Sequence, residues 1–187
     1  MYLEEFTDYK NQLVDDLLSN KEIVRLLDDK YELHKDDDPR RYFVGYRQDW
    51  GPDWHPQIFP YEYVPETIEY GRTFICFDVD ISRMSSRREA PSNKMLYSPV
   101  LYIWIFAHKS LLWLPGGGVR TDRLVQEIAK SINGSHFYGA GNLELYSVQR
   151  FAPLMDYQGK VMTFDAKDWN HANPTGRQWP SNRRVGV

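Results

Sequence analysis

The sequence predicts a single α+β domain with an antiparallel or mixed β-sheet packed by helices. Three observations predict this class: stretches in which apolar residues recur with helical spacing, an alternating strand pattern at 72–82, and an apolar run near residue 100. The 187 residues contain no internal repeat and no evident linker. We therefore expect one domain over 1–170 with the element order α-β-β-α-β-β, and a basic tail at 171–187.

The amino-terminal region is expected to form a helix over 3–18 and a shorter one over about 20–28. Ser19 and Glu22 have the spacing of a capping box, in which a hydroxyl and a carboxylate satisfy free helix amides. The run 36–39, three aspartates followed by a proline, is expected to end helical character. The apolar positions expected to face the core are Leu3, Phe6, Leu13, Val14, Leu17 and Leu18 in the first helix and Ile23, Val24 and Leu27 in the second.

A long arm at 31–70 is expected to be irregular and rich in aromatic residues. Its most unusual part is 58–67, where Pro60 and Pro65 each remove a backbone donor and favour extended geometry in the preceding residue. Two alternatives stay open: the arm packs on its own domain, or it docks on a neighbouring subunit. The candidate subunit-interface residues are Phe59, Tyr61, Tyr63, Trp50 and Trp54.

Two strands, 72–82 and 99–107, are expected to form a long hairpin, the second of them central and covered on both faces. Asp78 and Asp80 share one strand face about 7 Å apart. No third ligand lies nearby in the sequence, so a solvent-facing acidic row is favoured over a metal site. Such a row could line a channel through which DNA passes without binding.

The connection between these strands carries the one basic cluster with a plausible task. It could meet an acidic partner surface or DNA phosphates, or it could be a solvated loop. The residues are Arg83, Arg87, Arg88 and Lys94.

The second half of the chain is expected to hold one helix and two further strands. The glycines at 116–118 lack the lysine of a phosphate-binding loop, so a tight turn is favoured. Thr121 or Asp122 is expected to cap a helix that stops at Gly134, with Leu124, Val125, Ile128, Ala129 and Ile132 inward. The strands are expected at about 142–152 and 160–168.

The net charge of −3 is unevenly distributed, since residues 1–38 carry twelve acids against five bases. The segment 169–187 carries Arg177, Arg183 and Arg184 and no acid, so the two ends could attract each other between stacked subunits or could simply be solvated. A single cysteine, Cys76, excludes an intrachain disulfide and favours a reducing, cytoplasmic setting. No apolar run reaches the roughly 18 residues of a membrane span.

No catalytic, metal or cofactor residue is predicted. The five histidines lack metal-ligand spacing. His108 lies two residues before Ser110, but no nucleophile-elbow pattern surrounds them, and packing at the end of the strand is favoured. We expect a non-enzymatic interaction protein.

Four segments resemble the small neck proteins of tailed bacteriophages, with the tail terminator (tail completion) proteins the most similar class. These segments are Ile58–Thr67, Arg72–Ile75, Tyr102–Lys109 and Thr121–Gly134. The resemblance covers about residues 1–170, while the long arm and the basic tail depart from a minimal terminator.

The resemblance implies a structural virion protein with no cofactor. It implies a homo-oligomeric ring, often hexameric, that caps the tail tube, joins it to the head connector and lets DNA pass through its lumen. A head-closure or adaptor ring is the alternative position in the neck. A nucleic-acid-binding module, with affinity that falls steeply with salt, is a further alternative.

Overall fold

A five-stranded mixed sheet with helices on one face forms the body of the computed structural model, which confirms the predicted α+β class. The structure describes residues 3–28, 38–45, 56–62, 71–80, 84–85, 96–97, 100–135 and 142–167. The helices are α1 (Leu3–Ser19), α2 (Lys21–Leu27), α3 (Pro39–Phe43) and α4 (Arg120–Ile132). The strands are β1 (Ile58–Phe59), β2 (Thr73–Asp80), β3 (Met84–Ser85), β4 (Leu96–Tyr97), β5 (Val100–His108), β6 (Asn142–Phe151) and β7 (Tyr157–Lys167).

The sheet has the strand order β1-β2-β5-β7-β6, so β5 is its central strand as predicted. β1 runs parallel to β2, and every other pairing in the sheet is antiparallel. The predicted hairpin is confirmed, because β2 and β5 pair from Thr73 opposite Ala107 to Asp80 opposite Val100. Beyond this pairing, β3 and β4 form a separate two-stranded ribbon in the connection.

The main core lies between the helices and one face of the sheet. Ile75 and Phe77 of β2 face it, and so do alternate residues of β5, β7 and β6. The predicted inward positions whose burial is described are confirmed as core or core-packed residues. From the helices these are Leu13, Val14, Leu17, Leu18, Ile23, Val24, Leu27, Leu124, Ile128 and Ile132, with Val125 and Ala129 partly buried against them.

The opposite face of the sheet carries a second, aromatic cluster. Phe74, Cys76 and Phe106 are buried there, and the rings of Phe74 and Phe106 stack with centroids 5.3 Å apart. The predicted alternation of β2 is therefore confirmed, with Ile75 and Phe77 on one face and Cys76 on the other. Aromatic side chains suit this face because each buries a large area in a fixed orientation.

The helix caps differ from the predicted ones. α2 is capped by Asn20, whose side chain accepts hydrogen bonds from the amides of Glu22 and Ile23, while the Ser19 hydroxyl donates to the carbonyl of Asp16. Asparagine caps as well as serine does, and it lies one residue nearer the helix. The predicted Ser19 capping box is therefore wrong.

Residues Asp38 and Pro39 begin a helix where the sequence predicts that helical character ends. Asp38 accepts a hydrogen bond from the amide of Arg40, and Pro39 occupies the first turn of α3. Proline is favoured at that position because its missing donor would have no partner there. The cap of α4 also differs from the predicted one. The cap residue is Val119, and neither Thr121 nor Asp122 caps the helix.

The glycine triplet before α4 forms a tight turn, as predicted. Gly117 and Gly118 have φ of 88° and 91°, a region that side chains with a Cβ avoid. The turn brings Trp113 opposite Val119 in an isolated bridge. Among the helices that the structure describes, none combines the length and the apolar character needed to cross a membrane.

Gly159 of β7 leaves no room for a side chain. A Cβ built there would overlap the carbonyl oxygen of Ile105 and would lie 2.7 Å from the Cα of Phe106. Both atoms belong to the central strand, so the backbone of the sheet would have to move.

We expect Gly159→Ala to lower the free energy of unfolding by about 1–3 kcal/mol, the usual cost of overpacking. Gly116→Ala is the matched control, since a Cβ at Gly116 meets nothing within 4 Å. Chemical denaturation of both variants measures the difference. Equal stability of the two variants would contradict the close approach of β7 to β5.

Glu127 of α4 gives the fold a pH-dependent contribution. The hydrogen bond from Lys130, 2.8 Å long, holds the pKa of Glu127 below its usual range, and Arg123 adds to the effect. A carboxyl whose folded pKa is lowered stabilises the fold above its ordinary pKa and loses this contribution as pH falls through the folded value.

Glu127→Gln should therefore flatten the loss of thermal stability on acidification below about pH 4, the ordinary carboxyl range. Thermal unfolding of the wild type and the variant between pH 7 and acid measures this change. Glu22→Gln is the control, because Glu22 reaches its partner Arg25 at only 4.0 Å. An unchanged acid profile in Glu127→Gln would refute the assignment.

Candidate subunit interface

The arm of the sequence enters the sheet at Gln57, which is buried and anchored by four hydrogen bonds. Its amide donates to the carbonyl of Phe43 (2.9 Å), and its carbonyl accepts from the amide of Ile75 (2.8 Å). Its side-chain Nε2 donates to the carbonyls of Leu27 (2.8 Å) and Thr73 (3.0 Å). One residue thus ties the arm to α2, to the end of α3 and to β2.

Phe59 packs within its own chain, as one of the two alternatives for the arm requires. Its side chain is 5% exposed and contacts Phe74 and Tyr61, with the Tyr61 ring edge-on at 5.6 Å. The ring also lies where a Cβ on Gly45 would be. In this conformation Phe59 is not available to a neighbouring subunit.

Tyr61, the second described residue of the predicted interface, stays open to solvent. Its side chain is 41% exposed, and its hydroxyl donates to the carbonyl of Gly45 at 2.9 Å. The remaining arm residues of the predicted interface, Tyr63, Trp50 and Trp54, lie outside the described residues.

The β1 edge of the sheet is covered by the segment that follows α3. Val44 bridges Ile58 in parallel, and the amide of Gly45 donates to the carbonyl of Ile58 at 2.8 Å. Further along β2, the amide of Val79 is bonded by the side chain of Asp78 at 2.9 Å. Protection of this kind keeps a sheet edge from pairing with another chain.

One of the two aspartates of the predicted acidic row on β2, Asp78, is bonded to a lysine of α1. Lys10 Nζ donates to Asp78 Oδ1 at 2.7 Å and to the carbonyl of Pro60 at 2.8 Å. Asp78 and Asp80 are both partly exposed. Within the described ranges, no three His, Cys, Asp or Glu side chains group as metal ligands. A lumen or partner role for this row stays a prediction.

His108 caps the short 3₁₀ turn that follows β5. Its Nδ1 accepts the amide of Ser110 at 3.3 Å, and the Ser110 hydroxyl is 2.7 Å from the same nitrogen. The ring also packs edge-on against Tyr157. The position fits the predicted packing role at the end of the strand.

Described residues cover the opposite edge of the sheet, β6, over its first half only. The amide of Leu143 donates to the carbonyl of Ser135 at 3.2 Å, and the amide of Leu145 donates to Asn133 Oδ1 at 2.8 Å. A bulge between Leu145 and Ser147 then interrupts the register with β7. From Tyr146 to Phe151, no described residue other than those of β7 bonds the backbone of β6.

Exposed apolar side chains concentrate beside this uncovered edge. Of the seven large hydrophobic residues that are exposed in the described part of the chain, four lie between 146 and 155. Tyr146 and Val148 lie on β6, and Leu154 and Met155 lie in the turn that follows it. We name residues 146–151 the open edge. An open strand edge flanked by apolar side chains is typical of a surface that pairs with another chain.

The basic residues of the predicted partner surface lie outside the described residues. Arg83 precedes β3, and Arg87 and Arg88 belong to the connection between β3 and β4. The tail residues Arg177, Arg183 and Arg184 also lie beyond the described part. Sequence reasoning singled out these residues and missed the open edge, because its alternating pattern looks like that of any paired strand.

The fold and the open edge define an α+β protein whose candidate site is a surface for contact with other chains. The chain belongs to the YomW family, a phage-derived family whose model matches residues 20–166. It is therefore a phage-associated protein, which the resemblance to phage neck proteins also implies. Comparison with curated proteins gave no match, and neither did comparison with solved structures.

Replacing Gln57 tests the anchor of the arm. Gln57→Ala removes the bonds of Nε2 and leaves the carbonyls of Leu27 and Thr73 without this partner, so we expect a loss of about 1–3 kcal/mol in unfolding free energy. Gln126→Ala, at an exposed position of α4, is the control and should change stability by less than about 0.5 kcal/mol. Denaturant titration compares the variants, and a neutral Gln57→Ala would rule the anchor out.

Proposed function

We propose that this protein is a structural component of a phage neck, a tail terminator that caps the tail tube and joins it to the head connector. Membership of the phage-derived YomW family is the observation that carries the proposal, since it covers most of the chain. The proposal assigns no reaction, metal or cofactor to the protein. Its partners would be copies of itself, the tail tube protein and the connector proteins, and it would reside in the virion.

The surface of the described residues supports a role in contact. A ring subunit needs two different faces that meet each other in neighbouring copies. The arm side presents Tyr61 above the covered β1 edge, and the far side presents the apolar side chains near β6. These two sides lie at opposite edges of one sheet, so two different surfaces are presented for contact with other chains; the expected ring is a hexamer.

The β3–β4 ribbon supports contact with a stacked ring or with DNA. It continues the β2–β5 hairpin beyond the main sheet, and Arg87 and Arg88 follow β3 in the chain. Basic side chains in such a connection suit an acidic protein surface or a phosphate backbone. A head-closure or adaptor ring would use the same features, and it is the second candidate position.

Electron microscopy of the purified protein tests the ring, and deletion of its gene from the phage tests the position. A terminator is expected to give rings, and its deletion should leave DNA-filled heads beside unattached tails of abnormal length. If the protein closes the head, deletion should give heads that lose DNA beside tails of normal length. Restoring the gene on a plasmid is the control. A deletion that leaves normal, infectious particles would refute a neck role.

A further inference from the structure

We propose that the open edge of β6 pairs with the same edge of a second copy, in an antiparallel two-fold contact. The inference goes beyond the proposed function, because a two-fold contact closes on two copies and cannot by itself build a ring. It assigns residues 146–151 a partner of stated chemistry, a second copy of this chain.

The pairing groups follow from the two periodicities of the strand. In a β-strand, side-chain face and hydrogen-bonding direction alternate together. Leu143 and Leu145 belong to the helix-side core and send their amides outward, to Ser135 and Asn133. Val148 lies opposite Met162, whose side chain belongs to the same core, so Val148 shares that face.

Val148 and Arg150 therefore direct their amides and carbonyls away from β7, to a side where no described residue bonds them. Each copy thus offers the amides and carbonyls of two residues. Only one antiparallel register between two copies lets all of these groups form hydrogen bonds. Val148 of each copy lies opposite Arg150 of the other, and Gln149 lies opposite Gln149 on the two-fold axis. Each Val148–Arg150 pair exchanges two backbone hydrogen bonds.

Charge and apolar surface agree with this register. Arg150 already lies opposite Lys160 in its own sheet, and Lys160 is paired with Asp122 at 3.3 Å. The register places Val148 of the second copy directly opposite Arg150, which avoids like charges directly opposite each other, and the two Arg150 side chains lie on the diagonal. It also brings Tyr146 next to the other copy's turn, where Leu154 and Met155 are exposed.

The rest of the sheet boundary explains why this stretch is the place for a partner. The β1 edge is covered by Val44 and Gly45, and the first half of β6 is covered by Asn133 and Ser135. An open edge with apolar side chains is a liability for a free protein unless a partner covers it. A second copy supplies a matching edge of the same length.

A single-cysteine cross-link tests the register. Gln149→Cys should form a disulfide-linked dimer on mild oxidation, because opposing residues in a non-hydrogen-bonded pair have Cα atoms about 4.5 Å apart. Val148→Cys is the matched control, since its two copies would be roughly 8 Å apart along the diagonal, beyond disulfide reach. The natural Cys76 is fully buried and supplies no competing thiol at the surface.

Light scattering tests the contact itself. At high protein concentration the wild type should have a molar mass of twice the 22.1 kDa of the chain or, where rings form, an even multiple of it. Val148→Pro removes an outward amide in each copy and should raise the dimer dissociation constant about tenfold or more, because two of the four bonds are lost. Val148→Thr keeps the amide and should remain dimeric. Thermal unfolding establishes that the proline variant is folded.

Three outcomes overturn the inference: a wild type that stays monomeric at high concentration, equal cross-linking of Val148→Cys and Gln149→Cys, or an unchanged mass for folded Val148→Pro. Each is separable from failure of the neck proposal. Rings in micrographs without a Gln149→Cys cross-link would refute the two-fold contact and leave the neck role standing. If the dimer is cross-linked but the gene is dispensable for particle assembly, the neck role is refuted and the two-fold contact stands.

Discussion

The arrangement of the layers depends on the buried carboxyl end of α2. A helix end leaves carbonyls without intrahelical partners, and burying them without partners is costly. Here Gln57 donates to the carbonyl of Leu27, and Arg120 donates to that of Leu26 at 2.6 Å. Gln57 comes from the arm and Arg120 opens α4, so two distant segments meet at the end of one seven-residue helix.

This constraint also determines how the β1 edge of the sheet is covered. With Gln57 held, Ile58 must pair with Ile75, and Val44 and Gly45 cover the outer side of β1. Among the residues that the structure describes, the far edge receives only the short cover from Asn133 and Ser135. In the sequence, the stretch 58–67 looks like the most prominent contact surface. In the structure, at least its Phe59 is buried in the core of its own chain.

Patterns that repeat along the chain predicted the body of the fold. The apolar stripes of α1, α2 and α4, the two faces of β2 and the central place of β5 follow from periodicity, which reports directly which side of an element is buried. Local competition explains the errors. Asn20 displaces Ser19 as a cap, and Asp38 with Pro39 suits a helix start as well as a helix end.

The candidate site could not be predicted, because its defining properties are tertiary. Gln57 lies between a proline and an isoleucine and looks in the sequence like an ordinary loop residue. Its role follows from the position of α2 beside it in the fold. Val148 and Arg150 look in the sequence like members of any paired strand, since an edge strand differs from a central one only in lacking a neighbouring strand on one side. A buried arginine such as Arg120 is likewise invisible to periodicity.

The most direct test of the account is residue-resolved amide hydrogen exchange on the wild-type protein across a range of concentrations. The amides of Leu143 and Leu145 should be protected at every concentration, because Ser135 and Asn133 of the same chain accept them. The amides of Val148 and Arg150 should exchange fast in dilute solution and become protected as the concentration rises. Protection of those two amides in the dilute monomer, or fast exchange at every concentration, would contradict the open edge and its pairing.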